Sequence, residues 1–284
     1  VYFGTMDLDV GDMDGDGDLD VVTGDRYGTY GQYNHVYLNN GGTDTPFSGM
    51  DGLQLGNEYE NTDAIAVGDL DGDGDNDVLS ASRADDKIAW YENDGNGNFG
   101  PQQIITLSAD LANSVFAIDL DGDNDVDVLS ASMVDDKIAW YENDGSGNFG
   151  PQMVISNIAS GANSVFAADL DGDGDADVLS SSFYSNNDNG IAWYENLGNG
   201  VFGPEQIIQN MGSYFVHAGD PDNDGDFDII GTYYSIHHNL YWYENDGNGN
   251  FADWQLICQS TAPFRSVKTL DIDKDNDTDI ICGY

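Results

Sequence analysis

Six times along its 284 residues the chain alternates aspartate with another residue for nine positions, and the second copy, DLDGDGDND, spans Asp69–Asp77. The ladders begin at Asp12, Asp69, Asp119, Asp169, Asp220 and Asp271, a spacing of 57 residues once and of 50 or 51 thereafter. A period near fifty residues requires repeating units that each bury apolar surface against a neighbour. Around the ladders the same four apolar segments return, which in the second unit read AIAVGD, DVLSAS, KIAWYEN and FGPQQII. Each is short, rich in β-branched or aromatic residues and bounded by Gly, Asn or Asp, the pattern of strands. No segment sustains a helical period. NDGNGNF, between the third and fourth segments, reads as a hairpin turn whose Asp-Gly and Asn-Gly pairs supply positive φ angles.

Four antiparallel strands in each unit of about fifty residues predict an all-β fold, a β-propeller with four-stranded blades. The coils of a linear β-solenoid are much shorter than this. The reading is a single domain over residues 1–284 with at least six blade motifs, starting near residues 7, 64, 114, 164, 215 and 266, in a six- or seven-bladed ring. The last motif is incomplete, because only IICGY follows its ladder, and VYFGTM before the first supplies at most one further strand. Trp90, Trp140, Trp193 and Trp242 occupy the same place in the third segment of successive units. A blade lies between two others, so these indoles are expected in the core between blades.

Five carboxylates in nine residues repel one another; two unit charges about 4 Å apart cost roughly 4 kcal/mol at an effective dielectric near 20. The ladders are Asp12, Asp14, Asp16, Asp18 and Asp20; Asp69, Asp71, Asp73, Asp75 and Asp77; Asp119, Asp121, Asp123, Asp125 and Asp127; Asp169, Asp171, Asp173, Asp175 and Asp177; Asp220, Asp222, Asp224, Asp226 and Asp228; and Asp271, Asp273, Asp275, Asp277 and Asp279. Positions one, three, five and nine offer side-chain oxygens and position seven its carbonyl, an oxygen-only shell of the kind calcium takes. Position six is Gly17, Gly74, Asn124, Gly174, Gly225 or Asn276, residues that tolerate the left-handed turn such a loop needs. Magnesium, which keeps a rigid octahedron with several waters, fits less well. An EF-hand would need flanking helices and a Glu at position twelve, where this chain begins a strand. About one calcium per ladder, six in all, is the expectation.

The stretches VFAIDLDGDNDVDVLSAS and VFAADLDGDGDADVLSSS, with NFGPQ and VFGPE after the turn, resemble FG-GAP or VCBS repeats, the family that builds the integrin α-chain propeller and many bacterial surface proteins. The resemblance covers nearly the whole chain. It implies a calcium-stapled propeller in which each metal loop joins the first and second strands of its blade. It implies little about a ligand, since the family includes adhesion receptors, lectins and non-catalytic domains attached to enzymes.

Thirty of the 53 acidic residues lie in the ladders, and six calcium ions would bring the formal charge from -46 to -34. Metal binding and folding are then coupled, and sites of this kind suit extracellular calcium. A chain with only 7 basic residues offers no patch for nucleic acid or anionic lipid, and no apolar run is long enough for a membrane span. The chain opens without the basic and apolar regions of a signal peptide and reads as a mature or partial extracellular protein. Cys258 and Cys282, the two cysteines, form one disulfide or two buried thiols.

In a four-stranded blade the metal loop and the third-to-fourth turn share one rim, and the second-to-third loop lies on the other. The metal rim is nearly uniform among the repeats, whereas the opposite rim varies: RYGTYGQYNH, RADDK, MVDDK, FYSNNDNG and YYSIHHN. Tyr30, Tyr33, Tyr184, Tyr234 and His237 are the candidates there for contact with a glycan or a protein. No nucleophile–base–acid ordering and no nitrogen or sulfur cluster suggests catalysis. The expected role is a non-catalytic binding or adhesion module. The alternatives are a self-assembling subunit that joins copies of itself through the open edge of its last blade, and an accessory domain of a polysaccharide-degrading enzyme.

Overall fold

Each repeat folds into one antiparallel sheet whose strands follow one another in chain order. The computed structural model describes residues 4–26, 32–42, 45–47, 52–184, 190–233, 238–264, 266–275 and 277–283. The first sheet holds β1 (Gly4–Gly11), β2 (Asp20–Arg26), β3 (Gln32–Tyr37) and β4 (Leu53–Glu60), and the second β5 (Thr62–Gly68), β6 (Asp77–Ser82), β7 (Lys87–Tyr91) and β8 (Gln103–Thr106). The third holds β9 (Ala112–Ile118), β10 (Asp127–Ser132), β11 (Lys137–Tyr141) and β12 (Met153–Ser156), and the fourth β13 (Ala162–Ala168), β14 (Asp177–Ser182), β15 (Ile191–Tyr194) and β16 (Gln206–Gln209). The fifth holds β17 (Val216–Gly219), β18 (Asp228–Tyr233), β19 (His238–Tyr243) and β20 (Gln255–Ser260), and the sixth only β21 (Ser266–Leu270) and β22 (Asp279–Gly283). The protein is all-β; among the described residues there is no α-helix, and one 3-10 turn spans Arg83–Asp85. Gly4–Met6, read from sequence as at most a separate strand, prolong β1 instead.

Two compact units divide the chain: Val1–Asp119, Asn124–Asp135 and Ala139–Met153 form one, and Leu120–Asp123, Asp136–Ile138 and Val154–Tyr284 the other. In the first unit β1 packs beside β5 and β5 beside β9; in the second β13 packs beside β17 and β17 beside β21. First strands thus neighbour first strands. The carboxylates of Asp7 and Asp9 on β1 accept the Ile65 and Val67 N–H groups of β5, each at 3.0 Å, so the edge of one sheet is tied to the next by side chains.

The second strands β6, β10 and β14 are buried at every residue. A strand presents alternate residues to opposite faces, so burial without alternation means that both faces are covered. Trp90, Trp140 and Trp193 are buried and do part of that covering, as their spacing predicts, whereas Trp242 is only partly buried. Trp90 meets Phe149 of the third sheet's turn edge-on at 6.4 Å, and Trp193 meets Phe251 of the fifth at 5.8 Å. Sheets one and two also share a buried ion pair, Lys87 with Glu60, into which the Ser82 hydroxyl and Gln102 amide donate at 3.0 and 2.6 Å.

Candidate metal loops

Every ladder lies between the first and second strands of its sheet. The apolar residue at position two anchors the loop: Met13, Leu70, Leu120 and Leu170 are fully buried, or nearly so, beneath the carboxylates. Aspartates at odd positions then come together. In the first two loops Asp12, Asp14 and Asp20, and Asp69, Asp71 and Asp77, each bring one oxygen within 4.8 Å of the others. Asp169, Asp171 and Asp173, and Asp220, Asp222 and Asp224, do the same in the fourth and fifth. These repeated triads can hold a metal ion. In the third ladder Asp119 and Asp127 approach one another in the same way.

Within each loop the carboxylates also hold the backbone. Asp69 accepts the N–H groups of Gly72 and Gly74 at 2.8 and 3.0 Å, and Asp169 accepts those of Gly172 and Gly174 at the same distances. Asp73 accepts the Asp75 N–H at 2.9 Å, so position five also shapes the loop from within. Asp18, Asp75, Asp175 and Asp226, at position seven, take no part in the oxygen groups just named, as expected if that position contributes its carbonyl.

Position nine has a second role that the sequence did not reveal. Asp20, Asp77, Asp127, Asp177 and Asp228 are completely buried. Asp77 accepts the Leu70 N–H at 2.9 Å on one oxygen and the Asn93 N–H at 2.8 Å on the other; Asp20 and Asp177 repeat both bonds. In the fifth loop position two is Pro221, which has no N–H, and the Trp242 indole N–H donates to Asp228 instead, at 2.8 Å.

The asparagine ending WYEN is the other residue that sequence reasoning missed. The Asn93 amide donates to the carbonyls of Met13, in the preceding loop, and of Asn76, in its own, at 2.9 and 2.8 Å. Asn143, Asn196 and Asn245 make the same pair of bonds, to Leu70 and Val126, Leu120 and Ala176, and Leu170 and Phe227. The first five loops are therefore laced together in successive pairs. The available signal is the recurrence of Asn at one place in four repeats.

Position four needs a left-handed residue as well as position six, since φ is +74° at Gly15, +77° at Gly72, +58° at Asn223 and +63° at Lys274. A methyl group on Gly72 would lie 2.7 Å from the Gly145 carbonyl oxygen of the next sheet's turn, and Gly15 and Gly172 face Gly95 and Gly247 in the same way. Asn223 and Lys274 belong to the fifth and sixth loops, which no such turn of a following sheet covers among the described residues.

The electrostatics fit a cation. Burial first, then the neighbouring aspartates, raise the carboxyls of Asp14, Asp71, Asp171 and Asp222 above the ordinary range. Burial pushes Asp77 and Asp177 up to about 7 and Asp228 to about 6 against their backbone hydrogen bonds. The Asp14 Oδ1 is enclosed with no donor, an acceptor that a bound cation would satisfy.

Of the rim candidates, Tyr30, Tyr234 and His237 lie outside the described residues. Tyr33 stacks on Tyr59 at 4.4 Å in the first sheet. Tyr184, in the second-to-third connection of the fourth, is 45% exposed and sits against Phe183 at 5.1 Å. Cys258 and Cys282 are free thiols in hydrogen-bonding reach of one another, beside the cluster of Ile230, Leu240, Phe264 and Val267.

No curated protein sequence matches the chain significantly. Solved structures share the fold. The V. cholerae biofilm matrix protein Bap1 aligns with a TM-score of 0.53 at 20% identity over 91% of this chain and 39% of its own. The rhamnogalacturonan lyase YesW aligns at 0.56 and 15% identity, and the Bacillus licheniformis rhamnogalacturonan lyase at 0.54 and 16%, each over 99% of this chain and 55% of its own. The chain thus spans about two fifths to just over half of the length of these proteins. Residues 12–80, 69–130, 119–180 and 220–282 match the FG-GAP-like repeat, and the chain belongs to that family.

Proposed function

We propose that the chain is an extracellular, calcium-stabilised β-propeller that binds a glycan or a protein and carries out no catalysis. The observation that carries the metal part is the recurrence of oxygen-only triads on the same loop of successive sheets, from positions one, three and nine or one, three and five, with a donorless carboxylate oxygen at Asp14. Positions one, three, five and nine would hold the ion, and its two positive charges would offset the repulsion between them. Binding is assigned to the second-to-third connections because they differ from repeat to repeat while the metal loops do not. Tyr184, half-exposed and braced by Phe183, which itself packs against Tyr214 at 4.9 Å, is an aromatic surface held in place for contact. The similar structures, a biofilm matrix protein and two rhamnogalacturonan lyases, are compatible with such a role or with that of an accessory domain. A panel of immobilised oligosaccharides, probed in about 10⁻³ M calcium, tests the reading. Tyr184→Ala is expected to weaken retention without moving the melting temperature; equal loss of both would mean that the ring supports the fold and not a ligand.

A second reading rests on Met6, Leu8 and Val10, which alternate along one face of β1 and are 43, 52 and 46% exposed. Asp7 and Asp9, on the opposite face, are the residues that reach β5. An apolar stripe of this kind suits a second copy of the chain. Sedimentation velocity in calcium would then show concentration-dependent association that Leu8→Asp abolishes; a monomer at all concentrations would remove this reading.

A further inference from the structure

The fifth sheet departs from the repeat at two positions that face each other. In sheets two to four the residue three after the turn phenylalanine is Gln102, Gln152 or Glu205, and it bonds the tyrosine hydroxyl of its own third strand: Tyr91 at 2.7 Å, Tyr141 at 2.8 Å and Tyr194 at 2.9 Å. The fifth sheet has Trp254 there, and Tyr243 bonds Gln209 of the fourth sheet instead. The third strands carry Ala89, Ala139 and Ala192 before their tryptophans, where the fifth has Tyr241. The two replacements meet, with ring centroids 4.8 Å apart. Tyr241 is buried behind the pair, stacked at 6.2 Å on Tyr233 and fixed by the Asn239 amide, which donates to its hydroxyl at 2.7 Å. Trp254 stays 53% exposed.

The core gains little from an indole that remains half in water, and the interior bond made at this position in the other sheets is given up. Beside the exposed Trp254 lies a cleft. It has a volume of about 350 Å³, within the range of small-ligand sites, and runs between β16 and the turn leading into β20. Trp254 and Ile207 supply its apolar surface, and Gln206, Asn250 and Asp253 its polar groups. Asp253 is the one ionisable carboxylate among the described lining residues, and none of them is a lysine or arginine.

The geometry points to a saccharide subsite in this cleft, specific for a neutral hexopyranose unit; the assignment rests on the reading of the chain as a glycan binder and places a site away from Tyr184. A pyranose ring has a C–H face that packs on an indole and a rim of hydroxyls that need both acceptors and donors. The Asp253 carboxylate and the Gln206 amide beside a half-exposed indole offer that combination, the Asn250 amide nitrogen being held by Asp246. With no cation in the lining, and a formal charge of -46 on the chain, an anionic sugar would be repelled.

The test is titration of the full chain with cellohexaose and with the hexamer of N-acetylglucosamine, in about 10⁻³ M calcium, followed by tryptophan fluorescence and calorimetry. Saturable binding with a changed indole emission is expected for at least one of them. Trp254→Gln restores the residue type of the second and third sheets and is expected to keep the melting temperature while weakening binding roughly tenfold or more. Unchanged affinity in that variant, no saturable binding of either hexamer, or tighter binding of an oligogalacturonate would overturn the assignment. Binding that survives Trp254→Gln but is lost in Tyr184→Ala would remove this subsite and leave the glycan-binding reading standing. Failure of the whole oligosaccharide panel would remove both.

Discussion

Transferring the folded chain from calcium into excess chelator at neutral pH is expected to lower its melting temperature by more than about 10 °C. One site at a free ion concentration a hundred times its dissociation constant contributes about 2.7 kcal/mol, and the triads recur on successive loops. The chelated chain must hold the same carboxylates together without a counter-charge. The effect should also reverse its dependence on pH. Without metal, Asp77 and Asp177, pushed up to about 7, and Asp228, to about 6, keep protons that the unfolded chain has released above roughly pH 4. The native state then binds more protons than the unfolded one, so stability falls as pH rises from about 4 to 7. With calcium the slope has the opposite sign, because the ion is held by deprotonated carboxylates. Scanning calorimetry across that range, with and without chelator, gives two curves that should converge toward pH 4 and separate as pH rises. Superimposed curves would sink the metal reading.

The second large effect belongs to position nine. Asp77→Ala is expected to cost about 3 kcal/mol or more even in chelator, because it orphans the Leu70 and Asn93 N–H groups inside the protein. For a chain of this size that is roughly 6–12 °C in melting temperature. Asp77→Asn would rescue little, since its amide would turn one N–H donor toward another. Asp75→Ala, two residues earlier in the same ladder, removes a side chain outside the oxygen triad and should stay within roughly 0.5 kcal/mol in chelator. Equal losses at Asp75 and Asp77 would show that the ladder acts only through its total charge, and the anchoring role of position nine would fall.

Period and alternation made most of the architecture legible in advance. Segments such as DVLSAS and KIAWYEN became the second and third strands, the ladder fell between the first and second, and the sixth unit stopped at two strands. Strand identity follows from local β-propensity and turn residues, and the ligand pattern from the alternation of aspartate with residues that permit a tight loop, so both are written along the sequence. Gly, Asn or Asp at a turn announces its own conformation; the structure added only that position four shares the requirement of position six.

The lacing of the loops was not legible, because it depends on which groups the fold brings together across about 75 residues. Nothing local distinguishes Asn93 as a donor to Met13 from an asparagine that ends a strand. Nor does spacing show that Asp77 is sealed from water with both oxygens engaged, while Asp75 is not. The same holds for Trp254. As a residue it is a departure from FGPQ, and its meaning comes from Tyr241 beneath it and the cleft beside it. The sequence by itself determined the repeat, the strands and the carboxylates that can face an ion. Tertiary structure alone decided which of those carboxylates also anchor the backbone, because burial and backbone hydrogen bonding are set by neighbours distant in the chain.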